Sequence, residues 1–137
     1  MNPKYMLDTN ICIYLMKHQP PAVRERFAPC FVGDVVIFAV TLAELELGIA
    51  CSSPATQESN RSALASLLED IMVAPFEAQA AKVYGPIDAA YKDRNRDALD
   101  KLIASHAVAL GVILVTNNEA DFVNYAGLPV ENWVSTH

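Results

Sequence analysis

The chain has 137 residues, 53% of them hydrophobic and 19% charged, with a formal net charge of −6. This is the composition of an ordered globular chain long enough to bury a core, and it excludes the disordered and fibrous classes. The acidic balance argues against a broad basic face for nucleic acid, but not against a nuclease whose clustered carboxylates hold a divalent cation.

Tyr5–Leu7 reads as a short buried strand ending at Asp8, and Asn10–Lys17 as a helix stopped by Pro20 and Pro21. Ala22–Phe27 continues as a second short helix, and Val35–Val40 is a β-branched apolar run of strand length. Thr41–Cys51 is predicted as a helix with Thr41 as its N-cap, and Gln57–Ile71 shows helical periodicity through Leu64, Leu67, Leu68 and Ile71. Met72–Ala74 follows as a short strand, then helices over Glu77–Asp93 and Ala98–Leu110, the latter closed by Gly111. Val112–Thr116 is the clearest strand, and Leu128–Val130 a candidate edge strand. Strands alternating with helices predict an α/β fold with a mostly parallel sheet covered on both faces, with sites beyond the carboxyl ends of the strands. Without repeats, low-complexity tracts or Gly/Ser linkers, one domain over residues 1–137 is expected.

No apolar run reaches the ~18 residues of a membrane span. Asp8 interrupts the N-terminus before a signal-peptide core could form, so a cytoplasmic protein is expected. Cys12, Cys30 and Cys51 are odd in number and widely spaced, which argues against a disulfide framework or a zinc cage. Cys12 and Cys51 fall in helical segments and read as buried thiols. His18, His106 and His137 are scattered and do not read as ligands.

Four acids fall near predicted strand ends. Asp8 follows the first strand, where an N-cap role competes with a ligand role. Glu44 completes a Thr41-x-x-Glu44 capping box, and Glu46 is a nearby rival that must point to the other side of the helix. Asp100 opens a largely apolar helix, where it could complement the helix dipole, although Asp97 is available for that. Asp121 follows the strand Val112–Thr116 through a turn-like stretch that also holds Glu119. Gathered together, four carboxylates would repel unless a cation or protons compensated. Oxygen-only ligation suits Mg²⁺ or Mn²⁺.

At these residues the sequence resembles the PIN-domain ribonucleases, and in particular the VapC-type toxins of bacterial toxin–antitoxin pairs. The matching stretches are YMLDTNICIYLMK (Tyr5–Lys17), VTLAELELG (Val40–Gly48), LDKLIASHAVALGVILVTNNEADF (Leu99–Phe122) and GLPVENW (Gly127–Trp133), so the likeness spans the chain. It implies a Rossmann-like PIN fold and a Mg²⁺- or Mn²⁺-dependent endoribonuclease acting on structured RNA, tRNA prominent among it. It also implies neutralisation by a cognate VapB-type antitoxin, and a homodimer. By position, Asp8, Glu44, Asp100 and Asp121 match the family's acidic quartet, with Asp8, Asp100 and Asp121 as metal ligands. Thr9, Asn10, Thr116 and Asn118 match supporting polar positions. Before Asp100 the chain departs from the family's Gly-containing turn, carrying Arg94-Asn95-Arg96-Asp97-Ala98, which makes Asp97 a rival to Asp100.

Lys92, Arg94, Arg96 and Lys101 gather beside this point, as a solvated helix end or as a phosphate-contacting patch. Ile11, Leu15, Leu64 and Leu68 could supply a dimer face or belong to the core. The expected mechanism is attack of a metal-activated water on phosphorus. The competing readings are a catalytically silent PIN scaffold that binds RNA or an antitoxin, a DNA-directed nuclease, and a Mg²⁺-binding receiver-like domain. The last is disfavoured because Asp8 has no adjacent acid.

Overall fold

The computed structural model describes residues 3–90, 98–123 and 125–134. In chain order the elements are β1 (Tyr5–Leu7), α1 (Thr9–Lys17), α2 (Pro21–Phe27), β2 (Val35–Phe38), α3 (Ala39–Ala50) and α4 (Pro54–Asp70). They continue with β3 (Met72–Ala74), α5 (Ala78–Ala90), α6 (Ala98–Leu110), β4 (Ile113–Val115), α7 (Glu119–Phe122) and β5 (Val130–Glu131). The five strands form one sheet in the order β3-β2-β1-β4-β5, and every neighbouring pair is parallel.

A parallel sheet needs cover on both faces, and the alternation of side chains along each strand supplies two cores. Leu7, Val35, Ile37 and Val115 lie on one face with Ile11, Leu15, Leu45, Leu64 and Trp133, beneath α1, α3 and α4. Met6, Val36, Phe38 and Leu114 lie on the other with Ile103, Ala104, Ala107 and Phe122, beneath α6 and α7. Register keeps these sets apart, since Met6 pairs with Val36 and Leu114 while Leu7 pairs with Ile37 and Val115. All four residues of β2 are buried, which is why its sequence reads as a continuous apolar run. Among the described residues, no helix is long and apolar enough to cross a membrane.

β1, β3 and α6 have the bounds expected from sequence. β2 stops two residues early, because α3 starts at Ala39 on Phe38, a cap without a polar side chain. Thr41 therefore lies inside α3, fully buried, and is not its N-cap. Cys51 is exposed at the end of α3, whereas Cys12 is buried and its thiol is pushed well above the ordinary range by that burial. The edge strand is Val130–Glu131, with Leu128 buried ahead of it. The one-turn helix α7 stands where a turn was predicted. Ile11, Leu15 and Leu64 are core residues and Leu68 packs against them, so this set offers no dimer face.

α5 and α6 are braced by an ion pair between Lys101 Nζ and Asp88 Oδ1 at 2.9 Å, with side-chain exposures of 3% and 43%. The two ends are unequal, since only the ammonium is deprived of water. Removing Asp88 strands a buried charge, whereas removing Lys101 leaves a carboxylate that water can reach. Asp88→Ala is expected to cost on the order of 3 kcal/mol in urea unfolding and Lys101→Met close to nothing. Equal losses in the two variants would contradict this asymmetry.

Candidate active site at the carboxyl ends of β1 and β4

From β1 the chain builds outward through β2 to β3, then crosses back to add β4 and β5 on the other side. A reversal of this kind opens a crevice beyond the carboxyl ends of the two strands at the switch, here β1 and β4. The residue after β1 is Asp8 and the residue after β4 is Thr116. Asp8 N–H donates to Val115 O at 3.1 Å, and Thr116 N–H to Glu131 O at 3.0 Å, so both are tied to the sheet by backbone bonds.

Asp8 is the N-cap of α1, its Oδ1 accepting from Ile11 N–H at 3.0 Å. A carboxylate has acceptor positions beyond the one a cap uses, so this role does not exhaust it. The residue is only 6% exposed. Burial raises its carboxyl pKa above the usual Asp value and the charge of Glu44 adds to the rise, against the Thr116 hydroxyl and the N–H groups of Ile11 and Asn10.

Glu44 does not form the capping box, because Thr41 is not at the helix start. Its Oε1 accepts instead from Thr9 Oγ1 at 2.6 Å, joining α3 to the first turn of α1. Glu46 is exposed and pairs with Arg61 of α4 at 3.2 Å, on another side of α3. The Oγ1 of Thr41 is buried with no hydrogen-bond partner among the described residues.

Asp100, in the first turn of α6, reaches the same cavity as Asp8 and Glu44. The cavity has a volume of about 340 Å³, with Thr9, Asn10 and Asn118 on its polar side. Thr116 is fully buried behind it, and its Oγ1 accepts from Asn118 N–H at 3.0 Å. Asp121 is exposed on α7 and does not line the cavity. Its N–H donates to Asn118 O at 3.0 Å. Among the described residues, no three of these acids are close enough together to form a ready-made ion cage.

Lys101 is a correction. Its ammonium is buried against Asp88, so it is no part of an exposed phosphate-contacting patch. Lys92, Arg94, Arg96 and the rival Asp97 lie outside the described residues. Asn132 carried no signal in its own segment, yet its Nδ2 donates to Glu119 Oε1 at 2.9 Å and Asn117 Oδ1 at 3.4 Å, clamping the β4–α7 loop. Only its place in the GLPVENW stretch marked it out.

Asp8, Glu44 and Asp100, from segments far apart in sequence, thus line one cavity. A PIN-domain family model matches residues 5–128. The chain belongs to the PIN-domain family. This PIN domain is 39% identical over 132 residues to the tRNA(fMet)-specific endonuclease VapC of Shigella flexneri, covering 95% of this chain and 98% of that one. It is 33% identical to Ribonuclease VapC2 of Rickettsia felis, covering 94% and 97%. Among solved structures, the DNA-bound VapBC of Salmonella typhimurium superposes with a TM-score of 0.85 at 33% identity, covering 96% of this chain and 98% of that one. VapBC2 of Rickettsia felis bound to a promoter fragment gives 0.83 at 32% identity, covering 94% and 98%. This PIN domain is thus of the VapC ribonuclease type.

A carboxylate whose folded-state pKa is raised weakens the fold in full at pH above that value, and the penalty fades as the pH falls from there to the unfolded-state pKa. Asparagine caps a helix as well as aspartate does. Asp8→Asn in EDTA is therefore expected to be more stable than the parent at pH 7, read as a higher Tm. The gap over the parent should start to shrink as the pH falls through the folded-state pKa of Asp8 and close near the ordinary Asp value. A variant less stable than the parent at pH 7 would contradict this reading of the site.

Proposed function

We propose that the chain is the toxin of a VapBC-type pair, an endoribonuclease that hydrolyses RNA phosphodiester bonds, tRNA foremost, with Mg²⁺ or Mn²⁺. The observation that carries this reading is the convergence of Asp8, Glu44 and Asp100 on one cavity, with no Lys or Arg among the described residues that line it. Such a donor set, free of thiol and imidazole, fits a hard divalent cation and is poorly suited to hold a phosphate by itself. Asp8 and Asp100 are the residues that would hold the ion, with Asp121, which stands outside the cavity, acting through water. When bound, the ion supplies positive charge to the phosphodiester and makes a water easier to deprotonate.

Glu44, steadied by Thr9, accepts the proton of the attacking water. The water oxygen bonds to phosphorus, the P–O3′ bond breaks, and a proton from solvent finishes on O3′. The products are a 5′-phosphate and a 3′-hydroxyl. The acidic cavity also suits a basic segment of a VapB-type antitoxin. A single cytoplasmic domain acting as a homodimer completes the reading.

The test is cleavage of a total tRNA pool by antitoxin-free protein in Mg²⁺, Mn²⁺ or EDTA, beside Asp8→Asn and Asp100→Asn. Discrete metal-dependent products that vanish in both variants are expected. Cutting in EDTA, equal cutting by either folded variant, or 2′,3′-cyclic phosphate ends would overturn the mechanism. In the same assay Glu44→Gln should lose roughly 10²–10⁴ in kcat, the range of a general base. Thr9→Val, which keeps the base and removes its 2.6 Å bond, should lose about tenfold.

A further inference from the structure

The cavity has an apolar part that metal-ion chemistry does not use. Besides the acids it is lined by Ala98, Leu99, Ile103 and Phe122. Ile103 and Phe122 are 3% and 2% exposed and belong to the core beneath α6, so they form a fixed floor. Leu99 is 44% exposed at the rim. Leu99 and Ile103 are four residues apart on α6 and so share a face. They make an apolar strip from solvent to core beside Asp100. A hydrated cation or a phosphate gains nothing from leucine, and no Lys or Arg among the described residues lines the cavity.

We infer that this strip is a subsite for an unstacked nucleobase next to the scissile phosphate, with Leu99 as its contact residue and a determinant of substrate choice. The inference rests on the ribonuclease reading above. Base faces are hidden in a paired A-form stem and open only in loops, bulges and ends. A cavity of about 340 Å³ lies at the small end of ligand pockets, roughly 300–1,000 Å³, the scale of a single splayed nucleotide. Apolar side chains such as leucine serve as wedges against base faces elsewhere. The subsite favours nucleotides whose base face is free to reach Leu99, while the carboxylates attend to the phosphate.

The experiment takes the bond cleaved in the tRNA pool, places it in a short RNA hairpin loop, and prepares the same hairpin with an abasic ribose beside that bond. Both are cleaved in Mn²⁺ by the parent, Leu99→Ala and Leu99→Met. Leu99→Ala should lose about tenfold in kcat/KM on the intact hairpin, mostly through KM, in line with the loss of most of an apolar side chain's contact. On the abasic hairpin its loss should disappear. Leu99→Met should stay near the parent, and Mn²⁺ affinity, read by calorimetry, should be unchanged in all three. Undiminished cleavage by Leu99→Ala, or an equal loss on both hairpins, would overturn the subsite. A parallel arm titrates a single-stranded RNA carrying 2-aminopurine in Ca²⁺. A parent that cuts no RNA yet binds this probe in a Leu99-dependent way would sink the ribonuclease reading alone. Binding indifferent to Leu99 would sink the subsite.

Discussion

A carboxylate at the end of the central strand has to be kept there with little water and a second acid close by. Everything around Asp8 bears on that problem. Its backbone is tied to β4 through Val115, its side chain caps α1 through Ile11, and the Thr116 hydroxyl lowers the cost of its charge. Glu44 works in the opposite direction and is itself restrained by Thr9. Burial and Glu44 thus both weigh against the charge of Asp8, and a cation held there, as proposed above, would offset them.

The sheet topology makes that arrangement possible. With all five strands parallel, every carboxyl end lies on one side of the molecule, and the reversal between β1 and β4 leaves a gap there without breaking either core. Leu7 and Val115 fix the floor from one face, and Met6 and Leu114 from the other. Shifting either strand by one residue would exchange the two faces and carry Asp8 out of register with Thr116.

Much of this was legible in the residues. β1, β3 and α6 could be bounded from apolar runs and from Gly111, because local pattern and tertiary burial agree there. The strand expected over Val35–Val40 is two residues too long because Ala39 and Val40 continue its apolar run, and α3 begins on a phenylalanine that sends no capping signal. The same error disguised Glu44, whose apparent capping box exists only if Thr41 starts the helix. α7, a single turn, is too short for periodicity to register. Lys101 misled because a charged residue on a helix is usually solvated. Its burial depends on Asp88, thirteen positions away on another helix. The acids themselves were found from their places after strands and from family likeness. Which of them share a cavity depends on contacts between distant segments that no local pattern encodes.

Those distances bear on how the protein comes into being. β1 is synthesised first, yet one of its two partners is β4, so that Tyr5 waits for Ile113. Domains are made from the N-terminus at about 5–20 residues per second, and pairing between remote segments is slow because the loop must close before contacts reward it. On the ribosome, Asp8 and Glu44 emerge long before Asp100 and Thr116 exist to complete the crevice. The crevice is therefore absent from a nascent chain until α6, β4 and α7 have emerged and joined the elements made before them.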